Sequence, residues 1–382
     1  MDGIGVDATR PSRSRAAGDG ARQPTLCVIN HNGEAYLPAS LGAAVALGDE
    51  FAEIILVDDA SRDRSVELVR ERFPGVRIVR LPANRGPAAA RNVALREART
   101  DRVVLVDNDV VLTPGCVSRL LDALDRDPEA AVAVPRVVYA GRPEIVQFSG
   151  ADSHFIGLQI VHGDMPIDVL EPAGSVPGSA QGPPVRRIGS LISACFLLDR
   201  SRLRAPCDFD ESFFIYLEDH DFGVRIRGQG RAIVAVPDAI CRHGEGTEGL
   251  SIRQTGEYTA MRVFCLIRNR WQFILKNYSL RSMLLLAPVF ALYEASQLVV
   301  VVRKGWFREW IRAAWWTATR SGSILRKRIA VRRTRRIPDR ALFVGGPIPF
   351  RAELTTSRLE QAGKRALDAI TLAYWRQVGR LI

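Results

Sequence analysis

The stretch RVVLVDNDVVLTPG, residues 102–115, runs from five largely apolar positions into Asp107 and Asp109 and then back into valine and leucine. A short apolar run without alternation fits a strand buried on both faces. In an extended segment the side chains at i and i+2 share a face, so both acids can aim at one point beyond the strand end. Two carboxylates there repel unless a cation or proton intervenes. Mg²⁺ and Mn²⁺ prefer oxygen ligands, and one or two carboxylates with substrate phosphates is an ordinary Mg²⁺ arrangement. A D-x-D alone is a weak signal, because acids at loop starts are commonly just solvated.

Working outward, TLCVIN (25–30), EIILVDD (53–59) and VRIVRLP (76–82) repeat the pattern of an apolar run with a polar end. Helix-like stretches lie between them at about 36–47, 65–73 and 87–98, the last with Pro87 suited to a first helical turn. This alternation predicts an α/β fold with a mostly parallel sheet covered on both faces. Ligands bind at the carboxyl ends of such strands, where Asn30, Asp58, Asp59, Asp107 and Asp109 fall. Further strands are expected at 131–139, 190–200 and 232–244, with a helix at 216–230. Residues 141–188, rich in Gly and Pro, read as a long loop or insertion crossing the face of the site.

Three more features accompany the D-x-D. DDASRDRS (58–65) is a second acidic strand end, and NRGPAAARN (84–92) places a glycine turn and Arg91 at another carboxyl end. FDESFFIYLEDHDFGVRIRGQG (209–230) sets Glu218 and Asp219 among aromatics, where partial burial can raise a carboxylate toward a usable general base.

In this order, with I-N-H-N-G (29–33) before them and His243 at the end of the next strand, these motifs resemble family 2 glycosyltransferases of the GT-A fold. The likeness is strongest to rhamnosyltransferase and galactofuranosyltransferase-like bacterial members and covers about residues 25–245. It implies a Rossmann-like GT-A domain (24–250) after a disordered tail (1–23). A helical membrane-associating region (251–340) and a C-terminal tail with a helix (341–382) would follow. It also implies an inverting transfer from a nucleotide-diphosphate sugar to a hydroxyl of a cell-envelope glycan or polyprenyl-linked acceptor. Asp107 and Asp109 match the metal-holding D-x-D for Mg²⁺ or Mn²⁺, with Asp109 the more direct ligand, and His243 matches a histidine completing that site. Asp58 or Asp59 matches the acid that reads the nucleobase, with Ile29, Asn30 and His31 beside ribose and base. Asn84, Asn108 and Arg91 belong to the donor site, Arg91 facing the nucleotide and Asn108 turned away between the two acids. Asp219, beside Glu218, matches the general base. Ala60 departs from the usual glycine of V-D-D-G-S, and Pro87 stands where aromatic or small residues are common; neither removes a catalytic group.

The net charge of +11 is concentrated: thirteen Lys and Arg lie between Arg303 and Arg340, against only Glu309 and Asp339. Beside them, MLLLAPVFALYEASQLVVVV (283–302) carries a single charge, Glu294, and is about long enough to cross a bilayer. Basic residues flank it on both sides, so a helix lying in the interface is as fitting as a span. The pairing suits an anionic membrane surface at the cytoplasmic face of the plasma membrane. The first two dozen residues lack the apolar core of a secretory signal. Six scattered cysteines without a CxxC pair read as reduced core thiols. Two other classes compete. A nucleotidyltransferase would show a Gly-rich phosphate loop near Asn30, where none appears; a nucleic-acid-binding protein would explain the basic tail but not a neutral body with a catalytic-looking motif set.

Overall fold

A computed structural model describes residues 23–166, 185–205, 207–244, 258–349 and 357–382. The expected N-terminal tail therefore lies outside the described residues, apart from its boundary. The strands β1 (Thr25–Asn30), β2 (Glu53–Asp58), β3 (Arg77–Arg80) and β4 (Arg102–Asp107) lie parallel in the order β3-β2-β1-β4. Their register sets Asn30 beside Asp58 and Ile29 beside Asp107, so the polar strand ends gather along one rim. The helices α1 (Leu37–Ala46), α2 (Ser65–Arg72) and α3 (Pro87–Glu97) connect them. Pro87 sits in the first turn of α3, where a missing N–H costs nothing.

After Asp109 the chain forms β5 (Val110–Leu112), α4 (Cys116–Arg126) and β6 (Ala130–Tyr139). The stretch 141–188, expected as a long loop or an insertion without a clear element, carries short strands. Its described part holds β7 (Ile145–Phe148), β8 (Ala151–His154), β9 (Leu158–Val161), β10 (Met165–Pro166) and β11 (Arg186–Ile188). Strands of two to four residues are too short for an alternation pattern to register. β12 (Cys195–Asp199) runs antiparallel between β4 and β6, a direction its apolar run CFLL followed by Asp199 does not encode. After α5 (Glu218–Gly228), β13 (Ala232–His243) runs parallel to β6, and its last residues pair antiparallel with β5, His243 opposite Val110.

Two apolar cores cover the sheet's faces, one including Leu26, Val104 and Leu197, the other Ile55, Leu105 and Phe196. A third joins the α/β body to the helices α6 (Ala260–Asn277), α7 (Leu280–Arg303) and α10 (Arg358–Val378), while a fourth packs α8 (Phe307–Thr319) on α6 and α7 through Ala313, Val263, Ile267 and Val301, and α9 (Ser321–Thr334) lies against α6. In the third core Phe155, Phe213 and Leu217 pack with Phe273, Tyr278, Leu286 and Val289. The boundary expected at 250 is thus no break in packing. The apolar run falls in α7, whose single internal charge, Glu294, turns inward to accept from Arg270 and from Trp271 Nε1 (3.0 Å).

Candidate active site

The strand ends open into a cleft of about 690 Å³ lined by Ile29, Asn30, His31, Asp59, Asn84, Arg91, Asp107, Asn108, Asp109, Glu218, Asp219 and His243. Every anticipated site residue except Asp58 borders it. Asp58 is fully buried beneath, accepting from Asn30 Nδ2 (2.9 Å) and from the Ser61 amide (3.1 Å), with Arg80 Nε 3.3 Å away. The choice between Asp58 and Asp59 as the cleft-facing acid therefore falls to Asp59. Its two carboxylate oxygens accept from the amides of Arg85 (2.8 Å) and Gly86 (2.7 Å), so it also holds the N-R-G turn in place. Gly86, at φ +84°, needs to be glycine: a Cβ there would sit 2.7 Å from the Phe214 ring. Ala60 takes φ +54°, the left-handed conformation for which glycine is the less strained residue.

Asn108 departs from expectation. Rather than turning away, it is buried and donates to Asn30 Oδ1 (2.8 Å), closing the cleft floor. Gly33 makes that approach possible, since a Cβ there would meet Asn30 Oδ1 at 2.1 Å. His31 Nδ1 donates to the Asp59 carbonyl (2.8 Å), leaving Nε2 to accept from Asn84 Nδ2 (3.0 Å).

Arg91 links the two acidic motifs. Buried at 3 % exposure, its Nη2 reaches Asp107 (2.6 Å) and its Nη1 reaches Glu218 (3.2 Å). The guanidinium expected to face the nucleotide is instead engaged with these carboxylates. Glu218 is buried, and its Oε2 has no hydrogen-bond partner. Asp219 is half-buried and open to the cleft, held by the amides of Ser193 (3.2 Å to Oδ2) and His220 (2.7 Å to Oδ1). Burial raises the proton affinity of Asp107 and Asp219 above the ordinary carboxyl range. Glu218 is pushed up to about 8 by burial and then by the charge of Asp219.

On the other side of Asp107, the β5–β13 pairing brings His243 Nε2 to 3.1 Å from Asp109 Oδ1. Gln147 fixes the ring: its Nε2 donates to the Gly244 carbonyl (3.0 Å), so its Oε1 faces His243 Nδ1 and takes that proton. Nε2 then presents a lone pair to a carboxylate. Two acceptors this close call for a cation, either a proton or a metal, between them. Among the described residues no three His, Cys, Asp or Glu side chains converge as a ready-made metal cage. The pair Asp109 and His243 nonetheless suits a hard cation that takes its remaining ligands from substrate phosphates and water.

Sequence reasoning missed Gln147, which sits in the stretch read as a loop, and the support behind the acids. Phe214, Tyr216 and Leu217, leading into Glu218, all have φ between 63° and 67°. From α6, the fully buried Asn269 Nδ2 donates to the carbonyls of Phe213 (3.1 Å), Ile215 (2.9 Å) and Tyr216 (2.7 Å). Lys276, two turns on, reaches Asp210 and Asp221 at 2.7 Å each and so ties both ends of the segment. No local motif marks these residues, because their partners lie more than fifty positions away.

A mainly parallel sheet with helices on both faces and an acidic cleft at its carboxyl rim defines the GT-A class. A crystal structure of GalNAc-T7 with UDP, GalNAc and Mn²⁺ shares this fold, with a TM-score of 0.52 and 16% identity over 66% of this chain and 48% of that one. Residues 25–165 match the sequence profile of Glycosyl transferase family 2. It is 28% identical over 208 residues to the N-acetylglucosaminyl-diphospho-decaprenol L-rhamnosyltransferase of Mycobacterium tuberculosis, covering 50% of this chain and 66% of that protein. This match thus spans just under two thirds of that relative. An undecaprenyl-phosphate 4-deoxy-4-formamido-L-arabinose transferase of Edwardsiella ictaluri is 35% identical over 94 residues, 24% of this chain and 29% of that protein.

Proposed function

We propose that the protein transfers a sugar, with inversion, from a nucleoside-diphosphate sugar to a hydroxyl of a cell-envelope glycan or polyprenyl-linked acceptor at the cytoplasmic face of the plasma membrane. The supporting observation is the single cleft in which Arg91 joins Asp107 to Glu218, with Asp219 and the Asp109–His243 pair on either side. Relatives named for polyprenyl-linked substrates support the acceptor class. Asp219 is the base: both acids border the cleft, but Asp219 is the more exposed of the pair, and its raised proton affinity suits removal of a proton from the attacking hydroxyl. Glu218, kept protonated through neutral pH, orients Arg91 without adding a second negative charge beside the base. Arg91 in turn holds Asp107 at the donor side.

Asp109 and His243 would hold Mg²⁺ or Mn²⁺, which when bound supplies Lewis-acid stabilisation to a departing diphosphate. One base on the acceptor side gives a single displacement; retention by double displacement would need a second carboxylate placed as nucleophile. A panel of nucleotide sugars tested by thermal shift with Mn²⁺ should contain one that raises Tm, naming the donor. Asp109→Ala should abolish the Mn²⁺-dependent part of that shift. Full retention in the variant contradicts the metal assignment.

A further inference from the structure

A second cleft, about 600 Å³, shares no lining residue with the catalytic one. Six arginines border it: Arg281 on α7, Arg332 and Arg335 near the end of α9, Arg336, Arg340, and Arg380 after α10. Its one acidic side chain, Asp339, is buried and already paired with Arg335. Among the described residues the other five guanidinium groups are free of carboxylate partners, and all five are exposed. Like charges gathered this closely repel one another, and an anion bridging them relieves that repulsion. Guanidinium forks match phosphate oxygens in particular.

An independent feature begins at the same place. Arg281 lies in the first turn of α7 beside Leu280 and Leu284, which are 68% and 76% exposed. The exposed side continues through Leu292, Val299 and Val302, while Ser282, Leu286, Val289 and Tyr293 on the opposite side are buried against the protein. A helix with one face packed on its own domain cannot be ringed by lipid as a span would be. An apolar outer stripe that meets a cluster of arginines at one end suits a helix lying at the membrane surface, its apolar side in the acyl boundary and its cations at phosphate level.

We propose that the arginine cleft binds the phosphate of an anionic membrane lipid and, with the outer stripe of α7, seats the protein in the plane of the membrane. This rests on the membrane location in the reading above and not on the catalytic assignments. The test is cosedimentation of the full chain with phosphatidylcholine vesicles with and without phosphatidylglycerol. The wild type should bind only the anionic vesicles. Combining Arg332→Gln, Arg336→Gln and Arg340→Gln should weaken that binding roughly a hundredfold, with the Mn²⁺-dependent thermal shift by nucleotide sugar unchanged. Leu284→Gln should weaken it separately. Equal binding by the triple variant and the wild type overturns the proposal. So does stabilisation by inorganic pyrophosphate or binding of duplex DNA through the same arginines without vesicle binding, since the ligand is then a soluble phosphate or a nucleic acid. If vesicle binding follows the arginines while no nucleotide sugar stabilises the protein, the glycosyltransfer reading fails and the cleft assignment stands.

Discussion

At the scale of single residues, Glu218 makes the sharpest claim. Its proton is released near the usual 4.5 in the unfolded chain but only at about 8 in the folded one. Below that window both states hold the proton; within it the unfolded chain has lost it while the folded chain keeps it. Stability contributed at this site therefore falls as pH rises through the window, by at most roughly 1.4 kcal/mol per pH unit. Glu218→Gln removes the effect. Tm of the wild type should drop relative to the variant between pH 5 and pH 8, and parallel curves would contradict the assignment. The acids themselves were legible in the sequence, because each ends an apolar run or opens a helix. Their division of labour was not. That Arg91 serves Asp107 and Glu218, and that Asn108 turns down to Asn30, depends on side-chain directions set by elements distant in the chain.

At the scale of elements, α6 supports the catalytic segment. Three non-glycine residues in the left-handed region cost about 1–2 kcal/mol each, and such strain persists only where surrounding structure over-determines it. The contacts of Asn269 and Lys276 supply that constraint. Asn269→Ala leaves buried carbonyls without their donor and should lower stability by about 2–4 kcal/mol. In the fraction that stays folded, kcat should fall further than KM rises, because the aim of Asp219 is disturbed more than the donor cleft. An unchanged kcat would show that the segment keeps its conformation without α6. A helical region was expected over 251–340, but nothing in that expectation shows which side chains of α6 meet the protein. Here polar residues are buried beside the apolar ones, with Asn269, Gln272, Lys276 and Asn277 at 0–1% exposure next to the equally buried Phe273. The same limit hid the antiparallel direction of β12 and the short strands between 145 and 188.

At the scale of the whole molecule, the α/β body shares one core with α6, α7 and α10, so the proposed membrane-facing helix α7 and the acid pair are joined through α6. The parallel heart of the sheet was readable from four apolar runs with polar ends, since burial on both faces imposes that pattern. The packing of the C-terminal region onto the body was not, because an apolar helix of this length satisfies protein core and bilayer alike. The central claim is that Asp219 removes the acceptor proton in a nucleotide-sugar cleft. Asp219→Asn tests it most directly, measured as turnover alongside donor affinity with Mn²⁺ present. The account predicts a fall in kcat of about 10²–10⁴-fold with donor Kd nearly unchanged; turnover like the wild type's, or equal losses in kcat and donor affinity, would contradict it.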